Sequence, residues 1–464
     1  MMTTLEDHMR ARIEYTTLTL ALAAFAPLAG CGGDDGGSDV ANPETTGDGE
    51  PGDGDGDPGD GDGDPGDGDG DGDPGDGDGD GPCASTWEQT QMKVNGQVHA
   101  GFDVDVAANG EFVVAGRIDN ANFDAWIGKF SPSGEQLWSQ TVDSGGVDFA
   151  SGVVLDDAGD LIVVGSLQGS NGKDLWIEKR SGADGSVDWT TTEVSNFAGD
   201  NEPGDVALAP DGTIVVSGTV RMGDQDSDIW VRKLASADGS PSWTATYSGN
   251  VDMSGFSIDR GASVSVAPNG SIYVGGELGV NFETREAVVL AYGPEGGAEQ
   301  WQLSPHATGG AHLHRSVGVA AGPENEVYFA VYQSTGIWRF WVHRASAAGE
   351  LGWELTEEDF VYSPTKDWGV AGLAVSDAGL LTIGGSLRNE EIGQGISWSE
   401  AWVANLSLTG EGQCIGAHTW KNTHIIPAST YNYGLAEGPS GTVVVGEVRD
   451  GPENYLWVGG FGGL

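Results

Sequence analysis

The sequence is short of positive charge. Lys and Arg together number 20, against 71 Asp and Glu, and the formal net charge at pH 7 is −51. A protein that binds the phosphates of DNA or RNA needs a surface of the opposite sign, so no nucleic acid partner is expected. The same deficit disfavours direct adsorption of the folded part to anionic lipid.

Catalytic signatures are also missing. The chain has only three cysteines, and it contains no C-x-x-C, H-E-x-x-H, G-x-S-x-G or P-loop motif. These absences disfavour the enzyme classes that the motifs define. A site assembled from scattered residues would leave no such motif, so enzymatic activity stays open, with a non-enzyme favoured.

Long apolar runs are absent except for one near the start, LTLALAAFA, which is too short to span a bilayer permanently. Arg10 and Arg12 precede it, and the following Leu-Ala-Gly-Cys31 resembles a bacterial lipobox. The resemblance implies a signal peptide over residues 1–30, translated from Met1 or Met9, and a lipid on Cys31. Gly32 then favours the outer membrane, periplasmic or surface-exposed. The alternatives are a plain secretory signal and a buried apolar helix.

Residues 31–82 consist mostly of GDGDGDP units with almost no apolar side chains. Such a segment cannot bury a core, and we expect a disordered acidic linker. Its alternating Asp residues suggest loose Ca²⁺ binding. No stretch combines the Gly and Glu positions of an EF-hand loop with flanking helices, so no defined calcium site is expected there, and no other cofactor is predicted.

Residues 83–464 contain an internal repeat of four short, β-rich segments separated by Gly, Asp and Pro turns, as in VALAPDGTIVVSG followed by DIWVRKLASADGSPSWT. The third segment recurs at Trp126, Trp176, Trp230, Val288, Trp341, Trp402 and Trp457. The fourth recurs at Trp87, Trp138, Trp189, Trp243, Trp301, Trp353 and Cys414. A pattern of this kind predicts antiparallel four-stranded units.

The two series are offset at the ends of the chain. The first fourth-segment copy, around Trp87, precedes every other segment, and the last unit ends without a fourth segment of its own. A ring closed by the N-terminal strand explains both irregularities. We therefore predict an all-β, seven-bladed β-propeller of four-stranded antiparallel blades, in which the N-terminal strand completes the last blade. A monomer is expected.

The units VVLDDAGDLIVVGS and DLWIEKRSGADG resemble the bacterial β-propeller repeats called SBBP, over nearly all of this domain. That resemblance implies a secreted or surface-associated protein. LASADGSPSWT is more weakly similar to the repeats of quinoprotein enzymes, although it lacks their Thr and the units number seven where those enzymes have eight.

The recurring Asp-x-Trp motif invites a functional reading at Asp124, Asp174 and Asp228. We expect instead a structural one. The carboxylates accept backbone N–H groups of the preceding loop, the tryptophans pack between blades, and Lys129, Lys179 and Lys233 pair with nearby acids.

Function is then expected in the loops before each first strand, which line the channel mouth of a propeller. The residues there are His99, Asp148, Glu202, Asp259, Arg260, His314, Arg315, Trp368 and Tyr431. This mixture suits a polar ligand. His306, His312 and His314 are weak candidates for a metal site, and a plain loop is favoured over it.

The favoured hypothesis is a lipid-anchored binding or scaffold module for a glycan, peptide or protein. The alternative is a polysaccharide hydrolase or lyase, for which Asp148 and Asp259 are the only carboxylate pair to test. A quinoprotein-like enzyme ranks third.

With Cys31 lipidated, Cys83 and Cys414 remain as a pair in an oxidising compartment. A disulfide between them would staple the ring near its seam and stabilise the fold by about 5 kcal/mol in the chain-entropy description. Peptide mapping under non-reducing conditions is expected to yield a cross-linked Cys83–Cys414 peptide. Recovery of both cysteines as free thiols would contradict the pairing.

Overall fold

The computed structural model describes residues 85–92, 98–120, 122–224, 226–249, 257–280, 284–305, 313–334, 338–356, 367–376, 379–391, 396–408, 412–418, 429–450 and 453–462. Every regular element in these ranges is a β-strand. No helix long and apolar enough to traverse a bilayer occurs among them. The signal peptide, the linker, Cys83 and the two histidines 306 and 312 lie outside the described residues.

The strands form seven four-stranded antiparallel blades, which we number I to VII. The strands of the first three are β2 Val98–Val106, β3 Phe112–Asp119, β4 Asp124–Phe130, β5 Gln136–Val142; β6 Phe149–Leu155, β7 Leu161–Gln168, β8 Lys173–Arg180, β9 Val187–Glu193; and β10 Glu202–Leu208, β11 Ile214–Gly223, β12 Asp226–Leu234, β13 Pro241–Tyr247. A short strand pairs in parallel with β12: it is β14, Ser257–Ile258.

The strands of blades IV to VI are β15 Arg260–Val266, β16 Ile272–Gly279, β17 Arg285–Gly293, β18 Gly296–Leu303; β19 Leu313–Ala321, β20 Val327–Ser334, β21 Trp338–Ala345, β22 Leu351–Thr356; and β23 Asp367–Val375, β24 Leu380–Glu391, β25 Ile396–Ser407, β26 Gly412–His418. Blade VII contains β27 Ser429–Gly438, β28 Gly441–Asp450 and β29 Glu453–Gly462, together with β1 Ser85–Met92 from the start of the domain.

The ring closes as the offset in the sequence predicts. Strand β1 pairs antiparallel with β29, and Trp87 lies opposite Gly460. Gly460 is three residues after Trp457, just as Lys129, which lies opposite Trp138, is three residues after Trp126. The predicted fourth-strand role of Trp87 is thus confirmed, and the pairing of β1 with the last blade supplies the partner that β29 would otherwise lack.

The first-to-second and third-to-fourth turns are short, and most blades share their pattern. In blade I, for example, Ala107 N–H donates to Glu111 O and Gly110 N–H donates to Ala107 O, both at 2.8 Å. Gly110 has a φ of +82°, a conformation that favours glycine. The Asn, Asp and Gly residues of the repeat therefore fix tight turns at one end of the ring.

The core lies between blades, where the third-strand tryptophan of each blade packs on the blade before it. Trp176, only 1% exposed, packs against Val113, Ala115 and Ile127 of blade I. The same burial applies to the other residues that hold this position, which are Trp126, Trp230, Val288, Trp402 and Trp457. The prediction that these tryptophans pack between blades is confirmed.

Blade V departs from this rule. Trp341 stands at the motif position but is only half-buried. Its neighbour Phe340 is fully buried and stacks on Trp402 of blade VI, with ring centroids 5.8 Å apart. In blade I, Gly116 lies opposite the tryptophan, whereas in blade V Val331 lies opposite Trp341. A side chain larger than glycine on β20 therefore accompanies the more exposed indole.

The outer strands add a polar link between blades. The indole Nε1 of Trp138 donates to Gly182 O at 3.2 Å, and that of Trp189 donates to Ser236 O at 3.0 Å. Trp301 and Trp353 repeat the contact further round the ring. Each acceptor belongs to the third-to-fourth turn of the next blade, so the outer tryptophan holds a neighbouring hairpin.

The motif lysines also follow the prediction. Lys129 pairs with Glu111 at 3.0 Å. Lys179 pairs with Asp156 at 2.7 Å, and Lys233 pairs with Asp211 at 3.0 Å. In each case the acid lies in or beside the first-to-second turn of the same blade, so the third strand is tied to that turn.

Replacing Trp176 by Ala should lower the free energy of unfolding by about 3–5 kcal/mol, because it leaves a large cavity between blades I and II. Trp341→Ala at the equivalent position of blade V should cost less than about half of that, since Trp341 is only partly buried. Denaturant unfolding of the two variants beside the wild type measures the difference. If both variants lose the same free energy of unfolding, the position in the repeat, and not the burial of the side chain, determines the loss.

Candidate functional site

The two ends of the ring differ in their connections. Because the strands of each blade are antiparallel, the fourth-to-first and second-to-third connections share one end, which we call the loop face. These connections vary in length and sequence, from residues 143–148 before blade II to residues 357–366 before blade VI. The opposite end has the short, repeated turns. Chemical variety is therefore concentrated at the loop face.

Near the loop face, every first strand has a β-bulge at the same place. The pairing with the second strand skips one residue in each blade: Phe102, Ser151, Gly204, Ala262, Val317, Ala371 and Tyr433. A bulge bends the strand and redirects its side chains. The seven bulges give a common reference for comparing positions around the ring.

Aromatic side chains meet at the centre of the ring. Phe102 of blade I, Phe149 of blade II and Tyr433 of blade VII form one buried cluster with Ala100. The rings of Phe102 and Tyr433 lie 6.0 Å apart. Since these side chains come from the first strands of three successive blades, they mark which positions face the channel: the bulge residue and the residue two before it.

Charged side chains occupy the corresponding positions of the next two blades. Glu202 of blade III and Arg260 of blade IV each lie two residues before a bulge. The Arg260 guanidinium lies 3.9 Å from the Glu202 carboxylate and 3.2 Å from that of Glu277. All three side chains are nearly buried, at 11%, 6% and 7% exposure. Opposite charges alternate along this chain, which balances the cost of removing them from water.

Lys173 extends the charged group toward blade II. It is 6% exposed, and its ammonium lies 5.5 Å from the centre of the Phe149 ring. Burial lowers the pKa of Lys173 to about 8, against the attraction of Asp200, Glu202 and Asp148, which raises it. The repeat could have revealed this residue, since it directly precedes Asp174 of the motif, but the sequence interpretation did not include it.

Asp148 and Asp259 lie three residues before the bulges of their strands, one position earlier than Glu202 and Arg260 do in theirs. Both are fully buried. The Asp148 carboxylate accepts hydrogen bonds from Ser144 N–H at 2.6 Å and Gln168 N–H at 2.8 Å. The Asp259 carboxylate accepts the equivalent pair, from Gly249 N–H at 2.6 Å and Gly279 N–H at 2.9 Å. Each carboxylate therefore joins the loop after a fourth strand to the end of a second strand.

Asn201, which the sequence interpretation missed, has the same role in blade III. Its Oδ1 accepts from Arg221 N–H at 2.9 Å, and its Nδ2 donates to Glu193 O at 3.0 Å. Burial keeps these three side chains out of contact with a ligand in the channel. A catalytic pair made of Asp148 and Asp259 would have both carboxylates occupied by backbone amides, and their hydrogen bonds give them a structural role.

The remaining candidates are placed by strand register alone. His99 lies opposite Ile118, His314 opposite Gln333, Arg315 opposite Tyr332, Trp368 opposite Leu387 and Tyr431 opposite Glu447. Arg315 and Tyr431 precede their bulges by two residues, as Glu202 and Arg260 do. Cys414 lies opposite Asn405, at the tryptophan position of its outer strand. The predicted disulfide and the histidine metal site depend on residues outside the described ranges.

The motif carboxylates have partners different from those expected. Asp174 accepts from Ser195 N–H at 2.8 Å, in the loop that follows the fourth strand and not in the loop that precedes the motif. Asp124 accepts from the side-chain amide of Asn120. The structural interpretation holds for Asp174, and the identity of its donor is corrected.

The closed ring of seven four-stranded blades defines this protein as a β-propeller. No protein-family model matches its sequence, and no curated protein is similar to it. Among solved structures it is similar to the polysaccharide lyase Uly1, at 10% identity and a TM-score of 0.50 over 78% of this chain and 90% of that one.

Two further solved structures, of different kinds of protein, are also similar to this chain. The Pan2 WD40 domain of Neurospora crassa matches at 8% identity and a TM-score of 0.48, over 81% of this chain and 94% of that one. Quinohemoprotein alcohol dehydrogenase from Comamonas testosteroni matches at 10% and 0.43, over 80% and 76%. At such identities the similarity concerns the fold alone. The resemblance to SBBP repeats stays a prediction.

Lys173 offers a test of the charged group. Its folded pKa of about 8 lies below the ordinary value of 10.5, so the folded chain binds fewer protons than the unfolded chain between these values. The contribution of Lys173 to wild-type stability should therefore rise by up to about 3 kcal/mol as the pH increases from about 8 to 10.5. Lys173→Met should lack this gain when denaturant unfolding is followed across that range.

Lys179→Met is the matched control, because Lys179 is exposed to more solvent and paired with Asp156 at 2.7 Å. It should lower stability at pH 7 and keep the gain at alkaline pH. If Lys173→Met retains the full alkaline gain, the gain comes from another group.

Proposed function

We propose that this protein is an exported, lipid-anchored β-propeller that acts as a binding or scaffold module, and that it engages a glycan, peptide or protein through the loop face. The observation that carries the proposal is the difference between the two ends of the ring. Short turns that most blades share connect the strands at one end, and the channel-facing positions at the other end differ from blade to blade.

Those channel-facing positions combine several chemistries. The residues that lie two positions before the bulges are, in order from blade I to blade VII, Ala100, Phe149, Glu202, Arg260, Arg315, Gly369 and Tyr431. An uneven set of aromatic, acidic and basic residues suits a ligand that offers both apolar faces and hydrogen-bonding groups, such as a sugar or a peptide. A uniform ring of one charge would instead suit a simple ion.

The rigidity of the ring supports a binding role. Interblade packing at Trp176 and its equivalents, and the backbone hydrogen bonds of Asp148 and Asp259, fix where each loop begins. A preorganised mouth loses less conformational entropy on binding than a flexible one. Binding is favoured over polysaccharide cleavage because the proposed carboxylate pair is fully occupied by structural hydrogen bonds.

The lipid anchor and the acidic linker complete the proposal. A lipid on Cys31 would tether the chain to the outer membrane, on its periplasmic or external side, and a linker of about 50 residues would reach on the order of 40 Å. The propeller would then stand off from the membrane surface. The negative charge of the chain would hold it away from anionic lipid.

The test is a glycan array and an envelope-extract pull-down with the chain from Cys83 to Leu464. For any ligand found, the double variant Arg315→Ala, Tyr431→Ala, which changes two of the channel-facing positions, should weaken binding by at least about tenfold, or about 1.4 kcal/mol. Titration calorimetry or surface plasmon resonance gives the dissociation constants.

The matched control is Val187→Ala, Leu351→Ala, because these side chains are 49% and 54% exposed at the opposite end of the ring. This double variant should bind like the wild type. If the control loses binding and the loop-face variant keeps it, the binding site lies at the end of the ring with the short turns, which contradicts the proposal.

A further inference from the structure

Three carboxylates converge beneath the connection between β5 and β6. One oxygen from each of Asp124, Asp143 and Asp148 lies within 4.8 Å of the other two. Asp124 is 4% exposed and Asp148 is fully buried, whereas Asp143 is open to solvent. Three like charges this close destabilise one another unless a positive charge or a proton is added.

Part of this cluster is already hydrogen-bonded. Asp148 accepts from Gln168 N–H and from both the N–H and the hydroxyl of Ser144. Asp143 Oδ1 accepts from Gly145 N–H at 2.7 Å. None of the ion pairs found within the described residues involves these three carboxylates, and the nearest influence of a cation is the attraction between Lys173 and Asp148.

One carboxylate oxygen of Asp124 has no donor. Asp124 Oδ2 accepts from the Asn120 side chain, but Asp124 Oδ1 is buried and makes no hydrogen bond. A buried carboxylate oxygen without a partner is costly. It is an observation separate from the clustering of acids, and it indicates that a positively charged group belongs beside this oxygen.

The other copies of the motif show what is different here. In blade II, Asp174 receives the Ser195 N–H at 2.8 Å. In blade III, burial raises the pKa of Asp228 to about 6, and the neighbouring Ser248 side chain acts in the opposite direction. Ser248 and Asp143 occupy the same position, the first residue after the fourth strand. Blade I thus has a third carboxylate where blade III has a hydroxyl donor.

The ligand set fits a calcium ion. The three oxygens lie within 4.8 Å of one another, close enough for one ion with ligand distances of about 2.3–2.6 Å to bind between them. Magnesium keeps several waters and is seldom held by a site made only of protein ligands. Carboxylates are hard ligands that suit either ion better than zinc or copper.

We propose that Asp124, Asp143 and Asp148 form a calcium site that fastens the β5–β6 connection to the third strand of blade I. Asp143 is open to solvent, so an ion can reach the site there. The two buried carboxylates supply the rest of the negative charge that the ion needs. The burial of Asp124, with Asp143 and Asp148 beside it, raises its pKa despite the Asn120 hydrogen bond, which is the electrostatic cost that a bound cation would remove. The proposal does not depend on the proposed function.

The test is a calcium titration of the full chain after treatment with a chelator. Thermal unfolding in millimolar CaCl₂ should raise Tm by roughly 2–5 °C over the chelated sample, and MgCl₂ at the same concentration should raise it less. Isothermal titration calorimetry counts the sites. The acidic linker contributes equally to wild type and variants, so its loose binding cancels in the comparison.

Asp143→Ser is the decisive variant, since it reproduces the residue that blade III has at this position. It should raise Tm in chelator, because it removes one of three like charges beside Asp124, and it should abolish the calcium-dependent rise together with one calorimetric site. Asp143→Asn should also abolish that rise. Asp188→Asn removes one exposed charge from β9 and should respond to calcium like the wild type.

Two results would overturn the proposal. A wild-type chain whose Tm does not respond to calcium would indicate that the cluster is neutralised by a proton. A calcium response that persists unchanged in both Asp143 variants would place the ion elsewhere on the chain.

Discussion

The packing of each blade against the next is the interaction on which the rest of the structure depends. A single four-stranded blade has two faces and cannot bury either by itself, so the third-strand residue of one blade must pack on its neighbour. Trp176 packs on blade I, and Trp126 packs on Val445 and Leu456 of blade VII. A closed ring gives every blade two neighbours and leaves no exposed end.

The closed ring then determines which contact each repeated position makes. At the inner strands, Asp103 and Asp105 of blade I accept Val153 N–H at 2.8 Å and Leu155 N–H at 2.7 Å from blade II. At the outer strands, indole N–H groups reach the next turn. Polar and apolar contacts thus link the blades at the inner, middle and outer strands. The motif residues are used for these links, and the irregular loops remain available for binding.

Most of the fold followed from the repeat. The seven blades, the role of Trp87 in the last one and the packing of the tryptophans depend on a periodic pattern that is visible in the sequence. The exception, Trp341, could not be anticipated, because its exposure accompanies a valine on the facing strand of blade V. The candidate site was less predictable. Counting back from each first strand selected Asp148, Asp259 and Glu202 together, although a one-residue difference in register buries the first two and turns Glu202 toward the channel.

The sequence by itself determined the chemistry that is local or periodic: the acidic linker composition, the turn residues, the strand order and the offset that requires a closed ring. Only the tertiary structure decided which side chains meet. The bulge in each first strand sets which residues face the channel, and it depends on pairing with a second strand. The convergence of Asp124, Asp143 and Asp148 depends on two blades being held side by side. Distances between residues of different blades arise from packing, which no periodicity along the chain encodes.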